Sequence, residues 1–178
     1  MPSESALVVL VPEAERLVET FRKRYDPSAA NGLPAHVTIL FSFKSPDQLA
    51  DEIIESLRGL FSKIPAFSVS FVESRRFPDF LYLAPVPSQP FRQLTEAVTK
   101  VFPDALPYGG EFTEIIPHLT VAQAIDDETM DKIAADFHKA AKGILPIKVR
   151  VKTVSLIENS SGNWQVRTRF ALHAADNA

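Results

Sequence analysis

His36-Val37-Thr38-Ile39 and His118-Leu119-Thr120-Val121 are the two stretches on which the reading of this chain turns. Each alternates a polar residue with an apolar one. In an extended strand, residues i and i+2 point to the same face. Each His therefore shares a face with its Thr, while Val37, Ile39, Leu119 and Val121 turn toward a core. Pro34 and Pro117 stand just ahead of the two stretches and stiffen the start of each strand through their fixed φ. One His-x-Thr would say little. Two of them, matched in pattern and 82 residues apart, point to an internal repeat.

The same offset aligns the flanking segments. After the first strand, Ser45-Pro46-Asp47-Gln48 reads as a capping box with Pro at the first helical position. It predicts a helix with Leu49, Ile53, Leu57 and Leu60 at helical spacing, ending near Lys63. After the second strand, Asp126 reads as the cap of a helix over 126–142, with Gly143 just past its end. Ile64-Pro65 falls within one residue of Leu145-Pro146, and Val69 falls on Val151. Further strands are expected over 7–11, 67–71, 80–84, 147–157 and 164–172. The last two form a hairpin through Asn159-Ser160-Ser161-Gly162. Helices are expected over 13–24 and from Ser88 or Pro90 to Val101. Residues 26–32 and 107–114 read as loops and 75–79 as a turn. Each half then reads β-α-β-α-β. The expected fold class is α+β: residues 1–178 form a single domain of two half-lobes, about 1–76 and 77–174, duplicated about a pseudo-two-fold.

Composition narrows the function. A chain of 178 residues can bury roughly 70% of its unfolded surface and needs no covalent staples. It contains no cysteine, which excludes a disulfide framework, thiolate–zinc and iron–sulfur sites, and a thiol nucleophile. The formal charge of −3 argues against tracking a long duplex, which calls for a basic surplus. The apolar run 6–11 is too short for a signal segment, and no stretch approaches the ~18 apolar residues of a membrane helix. A cytoplasmic monomer is expected, with no membrane partner.

The doubled motif suits phosphodiester cleavage without a metal. That reaction needs a base for the attacking oxygen and an acid for the leaving one. Histidine can fill either role near neutrality. Threonine hydroxyls can donate to the non-bridging phosphate oxygens as charge develops there. His36 and His118 are thus the expected catalytic pair, with Thr38 and Thr120 holding the phosphate. The symmetric motifs do not say which His is the acid.

In these paired strands, their separation and the duplicated lobes, the chain resembles the two-histidine (2H) phosphoesterase superfamily, and within it the bacterial 2′-5′ RNA ligase-like proteins. The resemblance spans roughly residues 6–172. It implies a bilobal fold with a central groove and no metal or nucleotide cofactor. It also implies phosphodiester chemistry on nucleotides or RNA ends, typically opening of a 2′,3′-cyclic phosphate, with 2′-5′ ligation in some members. By the same resemblance the first-motif His36 would be the acid and His118 would activate water. An aromatic residue packing on the base is implied too, with Tyr82, Phe112 and Trp164 as candidates.

Other signals read more plainly. His138 lies on a solvated helix face, and His173 lies near a fraying terminus. Lys148, Arg150 and Lys152 alternate, as do Arg167 and Arg169. They either line a phosphate groove or form a solvated outer face, and the apolar residues between them favour the latter. Glu111 and Glu114 precede His118 on a loop without metal-ligand spacing. No phosphate-cradling glycine motif and no Lys-x-Asp-Gly of ATP-dependent ligases occurs. The competing function is a non-catalytic binding protein for phosphorylated nucleotide or RNA ends, although binding alone would suit Arg or Lys better than His.

Overall fold

The computed structural model describes residues 2–110 and 114–174. Its strands are β1 (Ser5–Leu10), β2 (His36–Phe41), β3 (Phe67–Arg76), β4 (Phe80–Val86), β5 (Leu119–Gln123), β6 (Ile147–Val151), β7 (Thr153–Glu158) and β8 (Gln165–Ala171). Its α-helices are α1 (Glu15–Tyr25), the single turn α2 (Pro27–Ala30), α3 (Asp51–Phe61), α4 (Gln89–Val101) and α5 (Asp127–Ala141). The strands form two four-stranded sheets, in the orders β2-β1-β7-β8 and β5-β4-β3-β6. All pairings are antiparallel. The α+β duplicated architecture expected from the repeat is the one observed.

The repeat in the chain and the sheets in space do not coincide. β3 closes the first β-α-β-α-β unit yet pairs with β4 and β6 of the second sheet. β7 belongs to the second unit yet pairs with β1 of the first sheet. The two units therefore exchange strands, and one core serves both. Leu7, Val37, Leu83, Leu119, Phe137 and Phe170 are all buried in it. The helices cross over as well: α1 lies against β5, and α4 against β2. Thr95 of α4 donates its hydroxyl to the Ile39 carbonyl of β2 at 2.7 Å.

The segment expected as one strand over 147–157 is two strands broken at Lys152. Its apolar phase slips there. Val149 and Val151 face the core in β6, whereas Val154 and Leu156 do so in β7. A one-residue slip turns the opposite face inward, so β6 and β7 enter different sheets. The capping box at Ser45 does not form. Pro46–Gln48 makes a 3₁₀ turn with no side-chain cap, and α3 starts only at Asp51. Leu49 leaves the helical path to become buried, at 3% exposure. Arg167 donates to the carbonyls of Pro46 and Leu49, both at 3.1 Å. Within the loop 26–32, Asp26 caps α2. The Asp126 cap holds, accepting from the Thr129 N–H at 2.7 Å, and Gly143 follows α5 with φ of 78°. His173 is tied by backbone bonds to Ile64 and Ala66 rather than frayed.

Candidate active site

The strand β2 puts His36 and Thr38 on one face, and the turn into β5 does the same for His118 and Thr120. Val37, Ile39, Leu119 and Val121 are buried beneath them. β2 and β5 are the neighbouring edge strands of the two sheets, so the motifs meet where the sheets meet. His118 lies near enough to His36 for its charge to act there.

Each imidazole is held in the same way. His36 Nδ1 lies 2.8 Å from the Pro34 carbonyl, and His118 Nδ1 lies 2.7 Å from the Ile116 carbonyl. A carbonyl only accepts, so each Nδ1 carries the hydrogen and each Nε2 of the neutral ring keeps its lone pair. Both carbonyls belong to residue i−2. Pro117 helps supply one by restricting Ile116 to extended backbone.

Burial lowers the proton affinity of both rings. It pushes His36 down to about 4 against the opposing pull of the Pro34 carbonyl, with the Arg22 guanidinium adding to the fall and Asp26 resisting it. His118 is also lowered by burial, opposed by its bond to Ile116. Arg22 and Asp26 form a buried ion pair at 3.0 Å, with 3% and 8% exposure. The pair anchors the segment that leads to Pro34: Asp26 also accepts from the Ser28 N–H at 3.0 Å and from its hydroxyl at 2.8 Å.

The surroundings of the two motifs differ. Around His36, the same sheet face carries an apolar cluster of Ala6, Val8, Leu33 and Ile157, with Leu10, Phe41, Trp164 and Val166 packed on it. Trp164 is half-buried and meets Phe41 edge-on at 6.3 Å. Around His118, Tyr82 and Phe77 stack at 4.4 Å and both meet the imidazole edge-on, at 5.7 and 5.5 Å. Tyr82, at 6% exposure, is thus a wall behind His118 more than an open platform. Phe112 and Glu111 lie outside the described residues.

Sequence reasoning missed Tyr108. Its phenol bonds the Thr38 side chain, and its ring tilts against Phe41 at 6.2 Å. It adopts φ of 50°, followed by Gly109 and Gly110 at 66° and 83°. That conformation is costly for a bulky residue. The Gly109-Gly110 pair marked an irregular segment but not that its tyrosine turns back onto the motif. Lys148 and Arg150 are solvated as expected, yet they lie on the His118 side of their sheet. Ser70 pairs with both Lys148 and Val86, and Val86 shares its strand face with Tyr82, the partner of Thr120.

Two antiparallel sheets that exchange strands and present a His-x-Thr each define a two-histidine fold. The family model of the 2′-5′ RNA ligase superfamily matches residues 10–163, and the chain belongs to that superfamily, as the doubled motif suggested. A protein of Oceanobacillus iheyensis provisionally named a phosphoesterase is 24% identical over 156 residues, covering 85% of this chain and 86% of its own. A similarly named protein of Bacillus cereus is 28% identical over 162 residues, covering 88% of each. Among solved structures, Escherichia coli LigT superposes with a TM-score of 0.62 at 15% identity, covering 97% of this chain and 99% of that one. The protein TT0787 of Thermus thermophilus has a TM-score of 0.62 at 18% identity, covering 96% and 98%. At these identities the two structures support the fold.

Among the described residues, no helix is long and apolar enough to cross a membrane.

Proposed function

We propose that this protein is a metal-independent phosphodiesterase that opens 2′,3′-cyclic or related cyclic phosphates on nucleotides or RNA ends. The observation that carries the reading is the mirrored pair of Nδ1–carbonyl bonds, which leaves two imidazole Nε2 atoms beside two threonines. A structural histidine would need no second copy of this arrangement. The family membership and the phosphoesterase names of the relatives agree with it. So does the 3′-AMP bound in the LigT crystal.

In the proposed reaction, one neutral imidazole takes a proton from water through Nε2 as the oxygen attacks phosphorus. The P–O3′ bond breaks, and the departing oxygen takes a proton from the other ring. The product is a 2′-phosphate. Thr38 and Thr120 donate to the non-bridging oxygens. Each acid or base role is worth on the order of 10²–10⁴ in rate. With a 5′-hydroxyl in place of water, the same step forms a 2′-5′ linkage. The resemblance assigns the acid to His36 and the water-activating base to His118. Both rings come from one chain, so a monomer suffices.

The test is a panel of 2′,3′-cyclic nucleotides, short RNAs with cyclic-phosphate ends and ADP-ribose cyclic phosphate, with and without a chelator. A 2′-phosphate product is expected, insensitive to chelation, with most turnover lost in His36→Ala and in His118→Ala. Full activity in the double variant refutes the reading. Binding of a cyclic phosphate without any product supports the non-catalytic alternative.

A further inference from the structure

Beside His118 the structure opens a cleft of about 500 Å³. Tyr82 and Val86 of β4 and Ile116 ahead of β5 line it, with two guanidiniums, Arg75 of β3 and Arg92 of α4, and the carboxylate of Glu114. Val86 and Ile116 are 50% and 42% exposed. Arg75 gives two N–H groups to Glu73 Oε1, at 3.1 and 2.9 Å. Three of its five donors remain. The Arg92 side chain has no hydrogen bond or ion pair among the described residues. Arg75 pairs with Tyr82, and Tyr82 with Thr120. The Arg75 backbone therefore lies two strand spacings, roughly 10 Å, from Thr120, on the same sheet face. Positive charge continues outward on the same face in the exposed Lys148 and Arg150. The face around His36 is apolar instead.

We infer that this cleft is a subsite for a second phosphoryl group of the substrate, held by Arg75 and Arg92 with the intervening sugar or base against Val86 and Ile116. The inference rests on the phosphodiesterase reading and adds the substrate's class: a nucleotide or nucleic-acid end that carries a second phosphate about one nucleotide away from the reacting one. That phosphate has two sources of the same chemistry, the 5′-phosphate of the reacting nucleotide or the next phosphodiester of a chain. Glu114 opposes both and limits the affinity.

Equilibrium binding tests the subsite independently of turnover. Calorimetry compares adenosine 2′-phosphate, adenosine 2′,5′-bisphosphate and the dinucleotide ApA bearing a terminal 2′-phosphate. At least one two-phosphate ligand is expected to bind about tenfold more tightly than the one-phosphate ligand, the scale of a solvent-accessible charge-assisted contact. The ligand that gains identifies the source. The ratio should fall toward one in Arg92→Ala and Arg75→Ala and rise in Glu114→Gln. Arg92→Gln and Arg75→Gln replace any alanine variant whose thermal melt shows a folding defect. Equal affinities in the unaltered protein, no binding of any ligand, or a ratio that survives both arginine substitutions overturns the subsite. Turnover of the matching cyclic phosphates is read separately. An intact ratio without turnover defeats the phosphodiesterase reading alone, and turnover without the ratio defeats the subsite alone.

Discussion

Replacing Asp26 by Asn should cost this protein about 3 kcal/mol of stability. Arg22 and Asp26 are 3% and 8% exposed and 3.0 Å apart, and removing one partner of a buried pair leaves an uncompensated charge, at about 3–5 kcal/mol. The Asn side chain keeps an oxygen for the Ser28 N–H, so the α2 cap largely survives and the loss isolates the charge. Asp26→Ala should lose about 1 kcal/mol more, the usual worth of a cap. The assay is urea unfolding at pH 7, read as a shift in midpoint at constant m-value. In a chain of this size, 3 kcal/mol lowers Tm by about 6–12 °C. Replacing both residues by apolar ones, Arg22→Met with Asp26→Leu, should recover most of the loss, because no buried charge then remains. The pair also reaches the site. Asp26 raises the proton affinity of His36 while Arg22 lowers it, so Asp26→Asn should move the His36 titration to still lower pH in NMR. A stability loss under about 1 kcal/mol, or an unmoved His36, refutes the reasoning that the pair is dry and coupled to the imidazole.

Three further outcomes follow from the same geometry. His36 is neutral in the fold at pH values where the unfolded chain takes up a proton, since its value falls from 6.5 to about 4. Stability should therefore decline as pH drops from 6.5 toward 4, by at most ~3 kcal/mol from this group before solvent screening reduces it; His36→Gln should flatten the decline in urea midpoints measured at pH 7, 5 and 4. Thr95→Val removes the buried hydroxyl that holds the Ile39 carbonyl, and urea unfolding should show a loss of about 1–3 kcal/mol. Tyr108→Phe removes the bond to Thr38 and should raise KM for a cyclic phosphate about fivefold, the worth of one net hydrogen bond near 1 kcal/mol, with a smaller change in kcat under steady-state assay.

Much of the candidate site's geometry was legible in the chain, because a strand's period of two places His and Thr on one face without knowledge of anything else. The slip from Val149 and Val151 to Val154 and Leu156 was legible too, although an unbroken strand was the simpler expectation. The capping box at Ser45 misled because its local preference competes with burying Leu49 and with Arg167, a residue more than a hundred positions away. Tyr82 and Trp164 could be named as aromatics near the motifs, but whether a ring is an open platform or a packed wall depends on Phe77 and Phe41 across the sheets.

The sequence alone determined the repeat, the two His-x-Thr strands, the α+β class and the lack of cysteine, since these follow from residue types and near-neighbour periodicity. Only the tertiary structure decided that β3 and β7 change sheets, that Pro34 and Ile116 carbonyls orient the two rings, and that Tyr108 reaches Thr38. It also decided that one flank of the histidine pair is apolar and the other lined by Arg75 and Arg92. Such features arise between residues far apart in the chain, where burial and the geometry of approach, rather than local pattern, set the energies.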